Sequence, residues 1–191
     1  MKNITKITAS AILFFAGMLF SLCSSAQSTS YGKIGFDIGL ELGAPTGNAH
    51  KYLSNFEAGG TLRGQLGLSE NLAVIVTSGY YNLFEKKMTA NGITTQLPGV
   101  GIVPVKGGLK GFLGKGVYFT GEAGAGFETS VDGDTNQKDT KFILAGGLGY
   151  AMKSLDIGIR YENFNGQGFN YGLVGLRVAY SFCSGMMKKD K

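Results

Sequence analysis

Three short stretches carry residue types that could do chemistry, and the first contains the only histidine. His50 lies in NAHKYLSN (48–55), which also offers the hydroxyl of Ser54. A histidine that acts as a general base must stand at a fixed hydrogen-bond distance from a nucleophile or an acid. No GxSxG or other supporting pattern accompanies this pair, so we interpret His50 as a solvated loop residue.

The other two stretches imitate ion and phosphate sites. DGDTN (132–136) has the first ligand spacing of a calcium loop, but Gln137 and Ile143 stand where the glycine and the bidentate glutamate are required. GFLGKG (111–116) lacks the first glycine and the final Ser or Thr of a phosphate-binding loop. We read both as turns, and the sequence predicts no catalytic residue, no metal and no cofactor.

A different set of charged residues is spread through segments of alternating polarity. Counted along each segment, six of them fall near mid-height, namely Asp37, Arg63, Lys106, Glu122, Arg160 and Arg177. Asp37 would lie between the strands of Arg63 and Arg177, and Lys106 beside the strand of Glu122. Because an unpaired charge in a narrow interior is costly, we expect a salt-bridge network that plugs the interior. The functional alternative is a gate whose charges exchange partners to open a narrow pore.

Eight segments with a period of two residues would position these charges. They are 33–43, 56–68, 72–84, 101–113, 117–128, 140–152, 155–164 and 171–182. In the last, YGLVGLRVAYSF, Val174, Leu176, Val178, Tyr180 and Phe182 share one face, and Arg177 and Ser181 the other. In 72–84 both parities are apolar, so its facing stays open. Eight antiparallel strands make the smallest common membrane barrel.

Connections of alternating length support this architecture. SEN (69–71), GKG (114–116) and KS (153–154) are tight turns, whereas 44–55, 85–100 and 129–139 are long polar loops and 165–169 is shorter. Tight turns at one end and loops at the other are typical of outer-membrane barrels. About ten residues per strand at ~3.3 Å, tilted by ~40°, cover ~25 Å of hydrocarbon.

A secreted soluble barrel of the lipocalin type would alternate equally well with its apolar face inward. Two features favour the membrane barrel. The polar face carries charges of both signs opposite small residues, and the expected inner face lacks a large apolar cluster. Aromatic residues also gather near strand ends, as two interfacial girdles would. One level has Tyr31, Phe112, Phe119, Tyr150, Tyr180 and Phe182, and the other Phe56, Tyr80, Tyr81, Phe84, Phe127, Phe142, Tyr161 and Phe164.

The first 26 residues read as a cleaved signal peptide. Lys2 and Lys6 precede a mostly apolar run (7–22), and Ser24-Ser25-Ala26 is a small-residue cleavage site. The barrel domain is then 27–182, followed by a basic periplasmic tail, 183–191. Loss of the two lysines from 18 basic residues leaves 16 against 13 acidic ones, which is too mild a balance to indicate nucleic-acid binding.

From residue 31 to 182 the chain resembles the small eight-stranded outer-membrane barrels of Gram-negative bacteria, the class of outer membrane proteins A, X and W. The resemblance rests on the strand count, the unequal lengths of the connections, the signal peptide and the closing strand LRVAYSF (176–182). The alternation of that strand, which ends on Phe182, is similar to the signal read by the barrel-assembly machinery. The nine residues after Phe182 depart from the common pattern.

The resemblance implies an all-β fold, an eight-stranded antiparallel up-and-down transmembrane β-barrel in the outer membrane, embedded in its lipid as a monomer. It implies a structural or surface-interaction role, with extracellular ligands reached through the loops and Tyr180 and Phe182 as assembly signal. A narrow channel is the alternative. A lipid A-modifying enzyme using His50 is a third hypothesis, because some barrels of this size have that activity.

Overall fold

A computed structural model describes residues 32–46, 54, 56–84, 86–90, 93–97, 99–114, 116–130, 140–166 and 170–182. It contains ten strands in these ranges: β1 Ile34–Thr46, β2 Glu57–Gly67, β3 Leu72–Leu83, β4 Lys86–Ala90, β5 Ile93–Leu97, β6 Val100–Gly114, β7 Val117–Ser130, β8 Thr140–Ala151, β9 Leu155–Asn165 and β10 Tyr171–Phe182. Within these ranges no helix has the length and apolarity needed to cross a membrane.

Eight of the strands form a closed antiparallel barrel in the order β1-β10-β9-β8-β7-β6-β3-β2. The seam between the first and last strands runs from Phe36 opposite Phe182 to Thr46 opposite Gly172. Closure leaves no sheet edge, so every barrel strand has two hydrogen-bonded neighbours and can stand in a medium without water. The eight predicted segments all form strands, and β1, β6, β7 and β9 extend slightly beyond their predicted ends.

Side chains alternate between a buried inner face and an exposed outer face along each barrel strand. In β1, Asp37 and Glu41 are buried whereas Ile38 and Leu40 are exposed. The open question of β3 is answered by burial, since its odd-numbered residues face inward, as Ile75 does, and Val76 faces outward. The inner face is therefore the polar one on most strands, as the sequence predicts.

The outer surface is apolar to an extent that a water-soluble protein does not tolerate. Thirty large apolar or aromatic side chains of the described residues are at least one-third exposed, and Leu40 and Leu113 reach 72% and 69%. This belt covers all eight barrel strands. The arrangement is that of a barrel whose solvent is lipid.

The aromatic girdles form with three corrections, and Tyr31 lies outside the described residues. Phe112 shares the inward parity of Lys110, and its ring centroid lies 6.0 Å from that of the buried Tyr118, so its predicted place in a girdle is wrong. Outward aromatic residues lie toward the turn end, Phe119, Tyr150 and Tyr180, and toward the loop end, Phe56, Tyr80, Phe84, Phe127, Phe142 and Tyr161. Tyr81 and Phe164 are fully buried inside the barrel, so their predicted place in a girdle is wrong. The reason is parity: Tyr81 is adjacent to the outward Tyr80, and Phe164 is two residues from the inward Glu162.

Short connections close one end of the barrel. After β2, the backbone N–H groups of Leu68 and Ser69 both donate to the carbonyl of Leu72, at 2.8 and 3.1 Å. Between β6 and β7 the chain turns at Gly114 and Gly116, with φ of 115° and 90°. Residues with a Cβ rarely adopt these angles, so the glycines are what allow this tight turn.

The opposite end contains a feature that the sequence interpretation missed. Within the segment predicted as a polar loop, 85–100, the strands β4 and β5 pair with each other as a two-stranded hairpin, a sheet separate from the barrel. Lys86 pairs with Leu97 and Ala90 with Ile93 across it. Its alternation is short and mixed, and Asn91-Gly92 is the turn signal that could have revealed it.

Candidate functional site

The lumen carries a dense and electrically balanced set of buried charges. Among the described residues, six carboxylates and six cations on the inner face are less than 9% exposed. The carboxylates are Asp37, Glu41, Glu57, Glu122, Asp156 and Glu162, and the cations Arg63, Lys106, Lys110, Lys141, Arg160 and Arg177. Such a balance is needed because the cost of burying an unpaired ion is on the order of several kcal/mol.

Glu162 of β9 joins two cations from different parts of the wall. Lys106 of β6 donates to its Oε1 from across the lumen, and Arg160 Nε lies 3.1 Å from the same oxygen. The hydroxyl of Tyr81 accepts hydrogen bonds from Lys106 Nζ at 3.1 Å and Arg160 Nη2 at 2.7 Å. One carboxylate and one phenol thus hold two cations together at mid-barrel.

Arg177 of β10 stands among three carboxylates at longer distances. Its guanidinium nitrogens lie 3.5 Å from Glu41, 3.6 Å from Asp156 and 3.8 Å from Asp37. Arg160 also pairs with Glu41, which connects this group to Glu162. The result is one continuous network of ion pairs through the lumen.

Toward the turn end the network finishes on Lys110 of β6. Its Nζ donates to Asp156 at 2.6 Å and lies 3.9 Å from the ring centroid of Tyr118. The Tyr118 hydroxyl donates to the other oxygen of Asp156, also at 2.6 Å. Asp156 is therefore fixed by two donors, with Arg177 as a third neighbour.

Arg63 and Glu122 form a pair of their own, with Nη2 and Oε1 2.7 Å apart. Arg63 Nε also donates to the hydroxyl of Thr77 at 2.9 Å. Their strands, β2 and β7, are not neighbours in the barrel. The contact crosses the lumen directly.

All six charged residues singled out from the sequence thus lie buried in the lumen, but several partners differ from the expectation. Arg63 pairs with Glu122 and not with Asp37, and Lys106 pairs with Glu162. Asp37 does meet Arg177. In a barrel of eight strands, long side chains reach across the interior, so height matters more than strand adjacency.

The sequence interpretation did not select several members of the network. These are Glu41, Lys110, Asp156, Glu162, Tyr81 and Tyr118. The alternation of the sequence contains the information needed to identify them, because each of these residues occupies an inward-facing position of its strand. Selection by mid-height excluded those nearer the ends.

Glu57 at the loop end of β2 is the exception to the pairing. The residue is fully buried, yet neither carboxylate oxygen has a hydrogen-bond partner in the part of the chain that the structure describes. It lies beside Gly43 and Gly59, where a Cβ would approach its oxygens to 2.5 and 3.1 Å. Neutralising this side chain should therefore cost little stability.

Large apolar side chains fill the lumen at its loop end, which contradicts the expectation of an inner face without them. The apolar cap, as we call this cluster, consists of Tyr81, Leu83, Ile102, Ile143, Phe164, Tyr171 and Leu173, with Val100 against it. Phe164 and Tyr171 stack with ring centroids 4.8 Å apart. Tyr171 also donates to Glu128 at 3.0 Å. The cap comes from five strands, β3, β6, β8, β9 and β10, so no single segment displays it.

A small cavity remains beside the ion-pair network. Arg63, Arg160, Arg177, Tyr118 and Thr120 provide its polar lining. The volume open to the centre of a water-sized sphere is about 10 Å³. That is room for about one water molecule.

The residues considered for catalysis do not assemble into a site that the structure describes. His50 lies outside the described residues, as do 132–136, the signal segment 1–26 and the tail 183–191. Ser54 is buried and its hydroxyl donates to the carbonyl of Phe56 at 2.8 Å. Within the described ranges, no three His, Cys, Asp or Glu side chains are grouped to hold a metal ion.

Tyr180 and Phe182, the predicted assembly signal, end the strand that closes the barrel. Tyr180 is 54% exposed on the outer face, and its ring meets that of Phe182 edge-on at 4.8 Å. Phe182 pairs with Phe36 across the seam. Both are placed where closure must occur.

Comparison with solved structures identifies the fold. Over 80% of this chain and 99% of the other, the barrel superposes with a TM-score of 0.57 and 18% identity on Ail, the attachment invasion locus protein of Yersinia pestis, crystallised with the heparin analogue sucrose octasulfate. The structure of Ail in a phospholipid bilayer nanodisc superposes with a TM-score of 0.55 over 79% of this chain and 99% of that one, again at 18% identity.

The N-terminal β-barrel domain of Pseudomonas aeruginosa OprF is similarly related, with a TM-score of 0.57 and 14% identity over 79% of this chain and 99% of that one. No family model and no curated protein matches the sequence. The chain has the fold of the small eight-stranded outer-membrane β-barrels.

Proposed function

We propose that this chain is a Gram-negative outer-membrane β-barrel protein with a structural or surface-interaction role and a plugged lumen. The observation that carries the proposal is the inversion of polarity: a continuous apolar outer belt surrounds buried ion pairs. Only a lipid surrounding stabilises that outer surface. Outer-membrane lipid is then the main partner, and residues 1–26 would direct export before removal.

Two successive obstructions support a plugged lumen. The apolar cap closes the loop end, and the ion-pair network fills the middle. The cavity beside the network has room for about one water molecule. The expected electrical behaviour is a closed barrel.

The loop end supports a surface role. It bears the hairpin β4–β5 and the longest connections, and in barrels of this class that end faces outward. Ail is named for attachment and invasion and was crystallised with a heparin analogue. We extend to this chain only contact with an extracellular ligand, and we assign that contact to its own loop end.

The test begins with location and folding. Boiled and unboiled samples from purified outer membranes are compared on a detergent gel, and a heat-dependent shift is expected. Cells in which residues 86–97 are replaced by Asn-Gly are then compared with cells carrying the intact chain in adhesion to host-surface material. The shift should persist and adhesion should fall. Recovery of the protein from the soluble periplasm would refute the proposal.

A narrow channel is the second candidate, and one observation favours it. Arg177 contacts three carboxylates at 3.5–3.8 Å without a short hydrogen bond to any, so its partners could exchange at low cost. Planar-bilayer recordings of the intact chain and of Arg177→Ala separate the two roles. Absence of conductance in both eliminates the channel.

Catalysis has no support in this arrangement, and we propose that the chain is not an enzyme. The residues that could act on lipid would have to include His50, so His50→Ala should leave the lipid A profile unchanged. The remaining proposals concern biogenesis. Tyr180 and Phe182 would be read by the barrel-assembly machinery, the barrel would be a monomer, and 183–191 would lie in the periplasm.

A further inference from the structure

Two of the buried guanidinium groups around the lumen cavity have a nitrogen that no carboxylate partner contacts. Arg160 Nη1 and Arg177 Nη2 have less than 1 Å² of exposed surface and no hydrogen-bond partner in the described structure. Neither atom takes part in the ion pairs of its residue. Both residues line the same cavity.

The lining of that cavity differs from the rest of the lumen. Arg63, Arg160 and Arg177 contribute three positive charges, and Tyr118 and Thr120 two hydroxyls. Gly158 and two apolar residues complete the lining, and no carboxylate belongs to it. The lumen as a whole balances six acids with six bases, whereas three guanidinium groups line this cavity. The hydroxyl of Tyr118 is already engaged, since it donates to Asp156, so the leftover donors are those of the guanidinium groups.

Glycines make the room for it in the wall formed by β8 and β9. At Gly147 a Cβ would stand 2.9 Å from the Thr120 hydroxyl and 3.1 Å from the Arg160 Cβ. At Gly158 it would stand 2.7 Å from the Tyr118 hydroxyl. Any larger residue at either position would press on the groups that line the cavity.

We propose that this cavity is a binding site for one small monovalent anion of halide size. An unpaired guanidinium N–H in a buried place costs free energy until an acceptor reaches it. A single anion between three guanidinium groups satisfies the leftover donors of Arg160 and Arg177 together. The cavity holds about one water-sized particle, which excludes phosphate, sulfate and organic acids.

The site is independent of the proposed surface role, because it depends only on the folded lumen. An anion there would stabilise the barrel according to its concentration relative to the dissociation constant. It would also set the position of Arg177, which contacts its carboxylates only at long distances.

The test uses the purified, folded full chain in detergent, exchanged into sodium gluconate and titrated with sodium bromide at constant ionic strength. The midpoint of thermal unfolding, measured by the heat-dependent gel shift, should rise and then saturate. Gluconate is too large for the cavity, so the rise reports the halide. A midpoint that does not respond to bromide would overturn the proposal.

Two variants that remove one cation from the same carboxylate provide a matched comparison. Arg160 and Lys106 both pair with Glu162, but only Arg160 lines the cavity. Arg160→Gln should need about tenfold more bromide to reach half of the maximal rise in the unfolding midpoint. This corresponds to a loss of about 1.4 kcal/mol in binding free energy. Lys106→Gln should keep the wild-type bromide dependence, though its midpoint starts lower. Equal losses in both would show a general effect of charge and refute the site.

Crystals of the unaltered chain grown in bromide give an answer even if a variant fails to fold. The anomalous signal of bromide should peak between Arg63, Arg160 and Arg177. A water molecule in that place without an anomalous peak would overturn the proposal.

Discussion

Glu162 and Glu57 are two buried carboxylates of the same lumen that differ in their partners. Glu162 is contacted by Lys106 and Arg160, whereas Glu57 has no hydrogen-bond partner in the described structure. Breaking a buried ion pair leaves an uncompensated charge, but removing a charge that has no partner relieves a desolvation cost. The two positions therefore predict opposite effects of the same substitution.

Glu162→Gln should lower the free energy of unfolding by about 3 to 5 kcal/mol. Glu57→Gln should leave it unchanged or raise it by about 1 to 3 kcal/mol. Urea titration of the barrel in lipid vesicles, followed by the fraction that migrates as folded, measures both. An equal loss in the two variants would contradict the difference in pairing.

Tyr81 gives a second prediction at this scale. Its hydroxyl accepts hydrogen bonds from Lys106 and Arg160, and its ring belongs to the apolar cap. Tyr81→Phe keeps the ring and removes the acceptor, so the free energy of unfolding should fall by about 1 to 3 kcal/mol. Tyr80→Phe, on the exposed outer face, is the control and should change it little. The same urea titration compares them.

At the scale of the strand, two adjacent glycines of β6 have opposite surroundings. A Cβ on Gly108 would stand 2.0 Å from the carbonyl oxygen of Gly121 on β7, whereas a Cβ on Gly107 would meet nothing within 4 Å. Backbone cannot yield as a flexible side chain does, so only Gly107 accepts a methyl group. The close approach of β6 and β7 depends on Gly108.

Gly108→Ala should therefore reduce the yield of folded barrel severely, and Gly107→Ala should leave it near the wild-type value. The fraction of heat-modifiable protein after refolding into vesicles measures the yield. Tolerance of both substitutions would show that the strands have room to separate.

For the whole molecule, the apolar belt and the unequal ends together predict an orientation in the membrane. Short periplasmic turns and long outer loops are the rule for such barrels, so the hairpin β4–β5 should face the cell exterior. Thr94→Cys in the hairpin should react with a membrane-impermeant maleimide on intact cells, and Asn71→Cys in the β2–β3 turn should not. Both are made in a Cys183→Ser background, with that background as the blank. If only Asn71→Cys were labelled, the orientation of the barrel would be the opposite of the predicted one.

The sequence was sufficient for the number of barrel strands and for the faces of most of them. A period of two residues places alternate side chains on opposite sides whatever the rest of the chain does, so Asp37 and Arg177 could be assigned to the interior and Leu40 and Leu176 to the exterior. The girdle prediction is wrong at Tyr81, Phe112 and Phe164, because the parity of the inner face at these positions excludes a place on the outer surface.

What only the tertiary structure decided is which inward side chains meet. Arg63 reaches Glu122 across the lumen, and the apolar cap gathers residues from five strands, because stagger and closure bring together residues that are distant along the chain. The cavity among three arginines has the same origin. Local periodicity determines the direction in which a side chain points, but the diameter and register of the closed barrel determine what it touches.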